Sequence, residues 1–238
     1  MKTVLVTGHR GFIGSSLVSR LNDYNVIGID IQDGNDILDC KLPNPDTVDL
    51  VIHLAGIGGV RESFADPKKY WDVNVEGTKR ILEYYSNVRV LVAGSSSQYE
   101  PHLNPYAASK HVIEKIPHIN VCFMRFHTVY SDNPRANMFF DKLLNGKIEY
   151  VTTHTRDFIH IDDLCDGIQL LMDSKYVGAI DIGTGVKVKV QDLCPDVPVK
   201  LLTPGERQST CANTALMRWL GHKPKHTVDS FLEERGFK

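Results

Sequence analysis

The stretch Lys2 to Gly14, "KTVLVTGHRGFIG", decides the fold. An apolar run of strand length passes directly into a loop with Gly8, Gly11 and Gly14 spaced G-x-x-G-x-x-G, and the loop opens a helix-like segment. Glycines at such a junction let the backbone turn tightly, approach a pyrophosphate and pack a helix on a sheet, while the helix N-terminus attracts the anion. A glycine triplet alone is a weak signal. Asp30 strengthens it: this residue ends the second apolar run, 22 residues after Gly8, where a carboxylate can accept hydrogen bonds from a ribose 2′-hydroxyl. The same carboxylate would repel a 2′-phosphate, which favours NAD over NADP. Arg10 leaves that choice open, since a guanidinium inside the loop could hold a 2′-phosphate, touch the pyrophosphate or pair with an acid.

Working outward, strand-length apolar runs at 2–8, 25–30, 50–56, 89–95, 120–126 and 178–183 alternate with helical candidates at 12–22, 68–86, 106–115, 137–145 and 162–173. This alternation predicts an α/β protein with a doubly wound parallel sheet of Rossmann type, because right-handed crossovers place helices on both faces. After about residue 184 the alternation becomes irregular and richer in proline. The expected division is therefore a dinucleotide-binding domain over 1–183 and a small C-terminal substrate lobe over 184–238, with 131–155 contributing to the lobe.

The 238 residues carry 27 Lys and Arg against 29 Asp and Glu, so no one-signed field argues for nucleic acid or an anionic membrane as partner. Five widely spaced cysteines form no CxxC pair, and no histidines cluster at metal-ligand spacing in the sequence. Reduced thiols and no metal are expected. The short apolar run at the start does not read as a signal peptide, and no run approaches the ~20 apolar residues of a membrane span. A soluble, cytoplasmic protein is expected.

The segment from Ala93 to Lys110, "AGSSSQYEPHLNPYAASK", carries the candidate chemistry. On a helix Tyr106 and Lys110 are four residues apart, stacked about 6 Å apart along one face. A phenol of reference pKa ~10 is a poor base at neutral pH, and a neighbouring ammonium favours its phenolate. Tyr106 is thus a candidate proton acceptor. A surface Tyr and Lys on an amphipathic helix is the plain alternative, which the glycine loop makes the weaker one.

Together, "VTGHRGFIG", "VIHLAG", "RESFADPKKYWDVNVEGT", "SSSQYE", "PYAASK", "TRDFIHIDDL", "AIDIGTG" and "TPGERQSTCANTALMRWLGHKPK" resemble, in order and nearly end to end, the extended short-chain dehydrogenase/reductase family of sugar-nucleotide epimerases and dehydratases. The resemblance implies Ser95, Tyr106 and Lys110 as the catalytic group, Ser95 lying four residues before Tyr99. It implies NAD held by Gly8, Arg10, Gly11, Phe12, Ile13, Gly14, Asp30, Ile31, Leu54, Ala55, Gly56, Tyr106 and Lys110. Asp36 and Ile37 are candidates for adenine contacts, or form a plain loop turn. Substrate contacts are implied at Ser95, Ser96, Tyr106, Thr128 and Arg156. For Arg156 two readings stand, a bond to the diphosphate of a nucleotide sugar or an ion pair with Asp157 or Asp163. Asn74 reads as a structural hydrogen-bonding residue near the active-site helix and His53 as a packed strand end.

Relatives that eliminate water tend to carry Asp and Glu where this chain has Ser96 and Ser97, which points to epimerisation, most simply at C4. An NAD(P)-dependent keto-sugar reductase or dehydrogenase is the alternative, and a non-catalytic NAD-binding sensor or scaffold a third reading. The sequence departs from the family at Thr128 and Ser131, at Thr203, where many relatives have an arginine, and in "EPHLNP", which replaces a longer sugar-covering loop. The resemblance also implies a homodimer through the helix after "VNVEGT" and the helix of Tyr106, with Ile81, Leu82, Tyr85, Val112 and Ile113 as a pairing stripe or as ordinary core.

Overall fold

Strand β1 (Thr3–Thr7) has Val4, Leu5 and Val6 with no solvent exposure. Burial on both faces is why its sequence is an unbroken apolar run instead of an alternating one. It pairs in parallel with β2 (Asn25–Ile29) on one side and β3 (Leu50–His53) on the other, and β3 pairs in parallel with β4 (Arg89–Ser95). With β5 (Val121–Phe126) and the strand Gly178–Ile182 these make a six-stranded sheet ordered Gly178–Ile182, β5, β4, β3, β1, β2. The chain leaves β1 toward one edge and resumes on its other side in β3. That reversal lies at the carboxyl ends of β1 and β3, the position at which open α/β sheets bind ligands.

The computed structural model describes residues 1–201 and 204–237 and divides into two compact units, Met1–Arg125 with Leu171–Ile180, and Phe126–Leu170 with Asp181–Lys238. In the first unit helix α1 (Phe12–Val18) follows the glycine loop. Helix α2 (Pro67–Trp71) starts at Pro67 under an Asp66 cap, runs into a π-turn at Asp72–Glu76 and continues as α3 (Gly77–Tyr84). Helix α4 (Pro105–Ile113) has proline at its first position and an Asn104 side chain accepting from the Ala107 amide at 2.7 Å, so "EPHLNP" supplies a 3-10 turn and then a helix cap. Ile81, Leu82, Tyr85 and Ile113 are buried with Val90 and Val92, and Val112 packs against them. The apolar stripe considered for pairing is therefore core. The helices turn these side chains onto their own sheet, where each fully buried one contributes roughly 1.5–3 kcal/mol.

The second unit is held by short ladders: Thr128–Tyr130 parallel to Phe158–His160, Thr155–Arg156 antiparallel to Val188–Lys189, and Val151–Thr152 parallel to Val199–Lys200. Its core gathers Tyr130, Phe140, Phe158 and Phe231, with Tyr130 and Phe140 stacked at 4.8 Å between centroids. These ladders join 126–170 to the C-terminal residues, so the division differs from the expected 1–183 and 184–238; the expected contribution of 131–155 falls inside this unit. Thr203 lies outside the described residues. Among the described residues no helix is long and apolar enough to cross a membrane, and no disulfide joins the cysteines, of which Cys40, Cys122, Cys165 and Cys194 are buried.

Candidate active site

The glycine loop is shaped by contacts that only glycine tolerates. Gly8 has φ +73° and donates to the Ile29 carbonyl at 2.8 Å, and a methyl group on Gly14 would lie 2.0 Å from the Gly8 carbonyl oxygen. Gly11 precedes α1 in extended conformation with no side-chain cap, so no side chain of the cap position occupies the first-turn amides of Phe12, Ile13 and Gly14. The buried Asp30 carboxylate accepts from the Arg10 amide and the Gln32 amide, each at 2.9 Å, tying the loop to the end of β2. The Arg10 guanidinium pairs with Asp33, whose other oxygen lies 3.4 Å from His9 Nε2. Asp33 thus takes the charge that a 2′-phosphate would have used. A backbone cradle too tight for any Cβ, closed by a carboxylate at the strand end, fits a dinucleotide with a free ribose.

Of the adenine candidates, Asp36 turns back to accept from the Leu38 amide at 3.0 Å, and the Ile37 side chain is buried in the core while its carbonyl accepts from Arg80 at 2.8 Å. The Asp36 side chain thus closes a loop turn, and the Ile37 side chain packs into the core. Ile31 is 64% exposed beside Asp30. Leu54 and Ala55 follow β3, their amides bonded to the Thr7 carbonyl and hydroxyl.

Around Tyr106 the structure assembles a polar network within the first unit. Ser95, at the end of β4, accepts from the Ser97 amide at 3.1 Å, which leaves its own O–H to donate. Lys110 is buried and donates from Nζ to the Ala93 carbonyl at 2.8 Å; burial lowers its pKa to about 8. Tyr106 packs edge-on against Tyr70, centroids 6.2 Å apart. Asn74, on the π-turn, accepts from the Ile57 amide at 2.8 Å and donates to Ser109 Oγ at 3.0 Å, so it fixes α4 against the loop after β3, as the structural reading expects. A methyl at Gly56 would stand 3.0 Å from Asn74 Oδ1 and 3.5 Å from Lys110 Nζ, which puts Gly56 directly over both.

His53 is fully buried and its pKa falls to about 3, from desolvation first and the Lys110 charge second. Thr78 donates to the Asn74 carbonyl at 2.6 Å and so accepts from His53 Nε2 at 3.0 Å; Nδ1 then accepts from Thr7 at 2.7 Å. The ring is a neutral strut between β1, β3 and α3. Tyr70 and Ser109 were not foreseen. Ser109 stands inside "YAASK" itself, whereas nothing in the spacing marks Tyr70.

Thr128 and Arg156 belong to the second unit. The Thr128 amide donates to the Asp157 carbonyl at 3.0 Å. Arg156 donates to the Thr155 and Arg207 carbonyls at 3.0 and 2.9 Å and to Glu206 at 3.2 Å. Its carboxylate partner is therefore Glu206, in place of the Asp157 or Asp163 considered from the sequence. Both aspartates are already engaged: Asp157 receives the Thr184, Gly185 and Ala212 amides, and Asp163 the Lys225 and His226 amides.

This combination of a switch-point glycine loop, a buried carboxylate at the end of β2 and a helix carrying Tyr106 and the buried Lys110 is that of a dinucleotide-binding fold. A model of the NAD dependent epimerase/dehydratase family matches residues 4–183, and the chain belongs to that family, with NAD as its cofactor. The uncharacterized UDP-glucose epimerase YtcB of Bacillus subtilis is 27% identical, the match covering 92% of each chain. The structure of MoeE5 in complex with UDP-glucose and NAD is 28% identical with a TM-score of 0.82, covering 99% of this chain and 100% of that one. The UDP-glucuronic acid 4-epimerase from Bacillus cereus, in complex with UDP-glucuronic acid and NAD, is 26% identical with a TM-score of 0.82 over 97% of this chain and 96% of that one.

Proposed function

We propose that the protein is an NAD-dependent epimerase of nucleotide-linked sugars that acts at C4 through a keto sugar. One observation carries this reading: Lys110, buried and tied to Ala93, stands one helical turn after Tyr106 and beneath the strand end that bears Ser95. The chemistry NAD supplies when bound is reversible hydride transfer with the sugar carbon. Tyr106 takes the proton of the 4-hydroxyl as the C4–H bond breaks, and the Ser95 hydroxyl donates to the same oxygen. Lys110, with a pKa of about 8, is mostly an ammonium at neutral pH; its charge favours the phenolate form of Tyr106, and with NAD bound it would be the residue to hold the nicotinamide ribose. The keto sugar turns over, the carbon is reduced on its opposite face, and Tyr106 returns the proton. No cofactor is consumed over the cycle.

Thr128 and Arg156 are the proposed contacts to the sugar nucleotide, Arg156 by a charge-assisted bond to the diphosphate that exchanges with or adds to its Glu206 bond. Hydroxyls at Ser96 and Ser97 support epimerisation over dehydration, because neither can act as the acid or base that eliminates water. The likeness to the UDP-glucuronic acid 4-epimerase of B. cereus, and to the B. subtilis protein named as a UDP-glucose epimerase, supports the substrate class. A cytoplasmic protein that forms a homodimer completes the reading. Incubation with a panel of nucleotide sugars, followed by product analysis and absorbance at the nicotinamide band, tests it. A new sugar without net cofactor turnover is expected; stoichiometric consumption of NAD(P)H would make the protein a reductase, and neither product nor consumption would make it a sensor.

A further inference from the structure

We propose that His160, Asp162 and His226, in the second unit, form a binding site for one divalent transition-metal ion of the zinc class. One ring nitrogen of each histidine and one carboxylate oxygen of Asp162 lie within 4.8 Å of one another. Imidazole and carboxylate donors suit zinc and its neighbours. The two imidazoles lie face to face, centroids 4.2 Å apart and tilted by 30°.

Three further features distinguish this cluster from a chance meeting of side chains. First, His226 Nδ1 is bonded to Asp163 Oδ1 at 3.1 Å, and Asp163 is buried and fixed by the Lys225 and His226 amides at 3.0 and 2.9 Å. A carboxylate on the far nitrogen sets the tautomer and aims the Nε2 lone pair outward, the arrangement that orients metal-bound histidines. Second, His160 Nδ1 is 3.5 Å from Asp162 Oδ2, close to the roughly 3.3 Å between neighbouring donors when zinc is held tetrahedrally at 2.0–2.1 Å. The Asp162 amide reaches the same nitrogen at a long 3.3 Å, a contact the ion would replace. Third, the hydroxyl of Tyr130 is buried without a hydrogen-bond partner, and its ring packs edge-on against His160 at 5.2 Å. A water on the ion could serve that hydroxyl.

The donor atoms must close by up to about 1.5 Å, from within 4.8 Å to roughly 3.3 Å, and the movable members allow it, since the side chains of Asp162 and His226 are 42% and 45% exposed. His226 also lines a cavity of about 530 Å³ with His222, Lys223 and Asp229, which gives one member of the cluster access to solvent. The ion would clip the junction of the strand Phe158–His160 and the following helix to the Lys223–Thr227 loop, 64 residues on from Asp162.

The test is calorimetric titration of the full chain with Zn²⁺, repeated on His226→Gln and Asp162→Asn, with His102→Gln as a control at an exposed histidine of the first unit. The wild type and the control are expected to bind one equivalent and to gain thermal stability that a chelator reverses. His226→Gln and Asp162→Asn are expected to bind at least tenfold more weakly while melting as the metal-free wild type does. Co²⁺ should give the visible absorption of a four- or five-coordinate ion in the wild type and lose it in His226→Gln. Absence of a one-equivalent site in the wild type, or unchanged binding in both variants, would overturn the proposal.

Discussion

The ammonium of Lys110 donates a 2.8 Å hydrogen bond to the carbonyl of Ala93, joining the middle of α4 to β4 two residues before Ser95. The bond fixes how far the Tyr106 helix stands from the strand end, and it holds a buried cation. One buried side chain thus sets the spacing of α4 from β4.

Burial of Lys110 predicts a pH signature in stability. Its folded pKa, about 8, lies below the unfolded value of 10.5, so between those values the unfolded chain binds more protons. The cost of burying the ammonium is complete below about pH 8 and is relieved as pH rises toward 10.5. Denaturant unfolding of the apoprotein should gain up to about 3 kcal/mol from this group across that window relative to Lys110→Met. Parallel stability profiles of the two proteins would show that Lys110 is not buried as a cation.

Asp30 should set cofactor preference and also loop stability. Asp30→Ala removes two bonds from backbone amides to a carboxylate, at an expected loss of about 1–3 kcal/mol, and removes the repulsion of a 2′-phosphate. Fluorescence titration should show weaker NAD binding and a narrower gap between NAD and NADP. A wild type that prefers NADP would assign Arg10 the phosphate role despite its pairing with Asp33.

Gly14→Ala should abolish NAD binding. The new methyl would stand 2.0 Å from the Gly8 carbonyl oxygen, a backbone atom that cannot yield without displacing the loop. Retained binding with an unchanged fold by circular dichroism would contradict the cradle.

The helix residues once available for pairing predict instability instead of dissociation. Tyr85 has no exposure and donates to the Pro43 carbonyl at 2.9 Å, so Tyr85→Glu should cost at least about 3–5 kcal/mol. Sedimentation of a folded monomeric Tyr85→Glu variant from a dimeric wild type would return the stripe to the interface.

Much of the first unit is legible in the sequence because its strands are long buried runs and its glycine loop sits at a fixed place after the first of them. The ends are less so: β3 stops at His53 where the apolar run continues to Gly56, since the sheet gives way to the loop that carries Leu54 to Gly56. The second unit is harder to read. Ladders such as Val151–Thr152 with Val199–Lys200 are two residues long, too short for any period, and they join segments almost fifty residues apart. For the same reason Arg156 could not be assigned to Glu206, fifty residues away, when Asp157 stood next to it. His160 and His226 likewise meet only in three dimensions, so the spacing of histidines along the chain concealed their contact.

Tyr106→Phe should leave NAD bound while turnover falls to background, because the phenol moves a proton and takes no part in the glycine cradle. Undiminished turnover would remove Tyr106 from its role.

The most direct measurement follows deuterium placed at C4 of a UDP-hexose through a full reaction with NAD-loaded protein. The account predicts a C4-epimeric product that keeps its deuterium, with no net gain or loss at the nicotinamide band, since the hydride that leaves the carbon returns to it. Deuterium lost to solvent, or retained product accompanied by stoichiometric NADH, would contradict it.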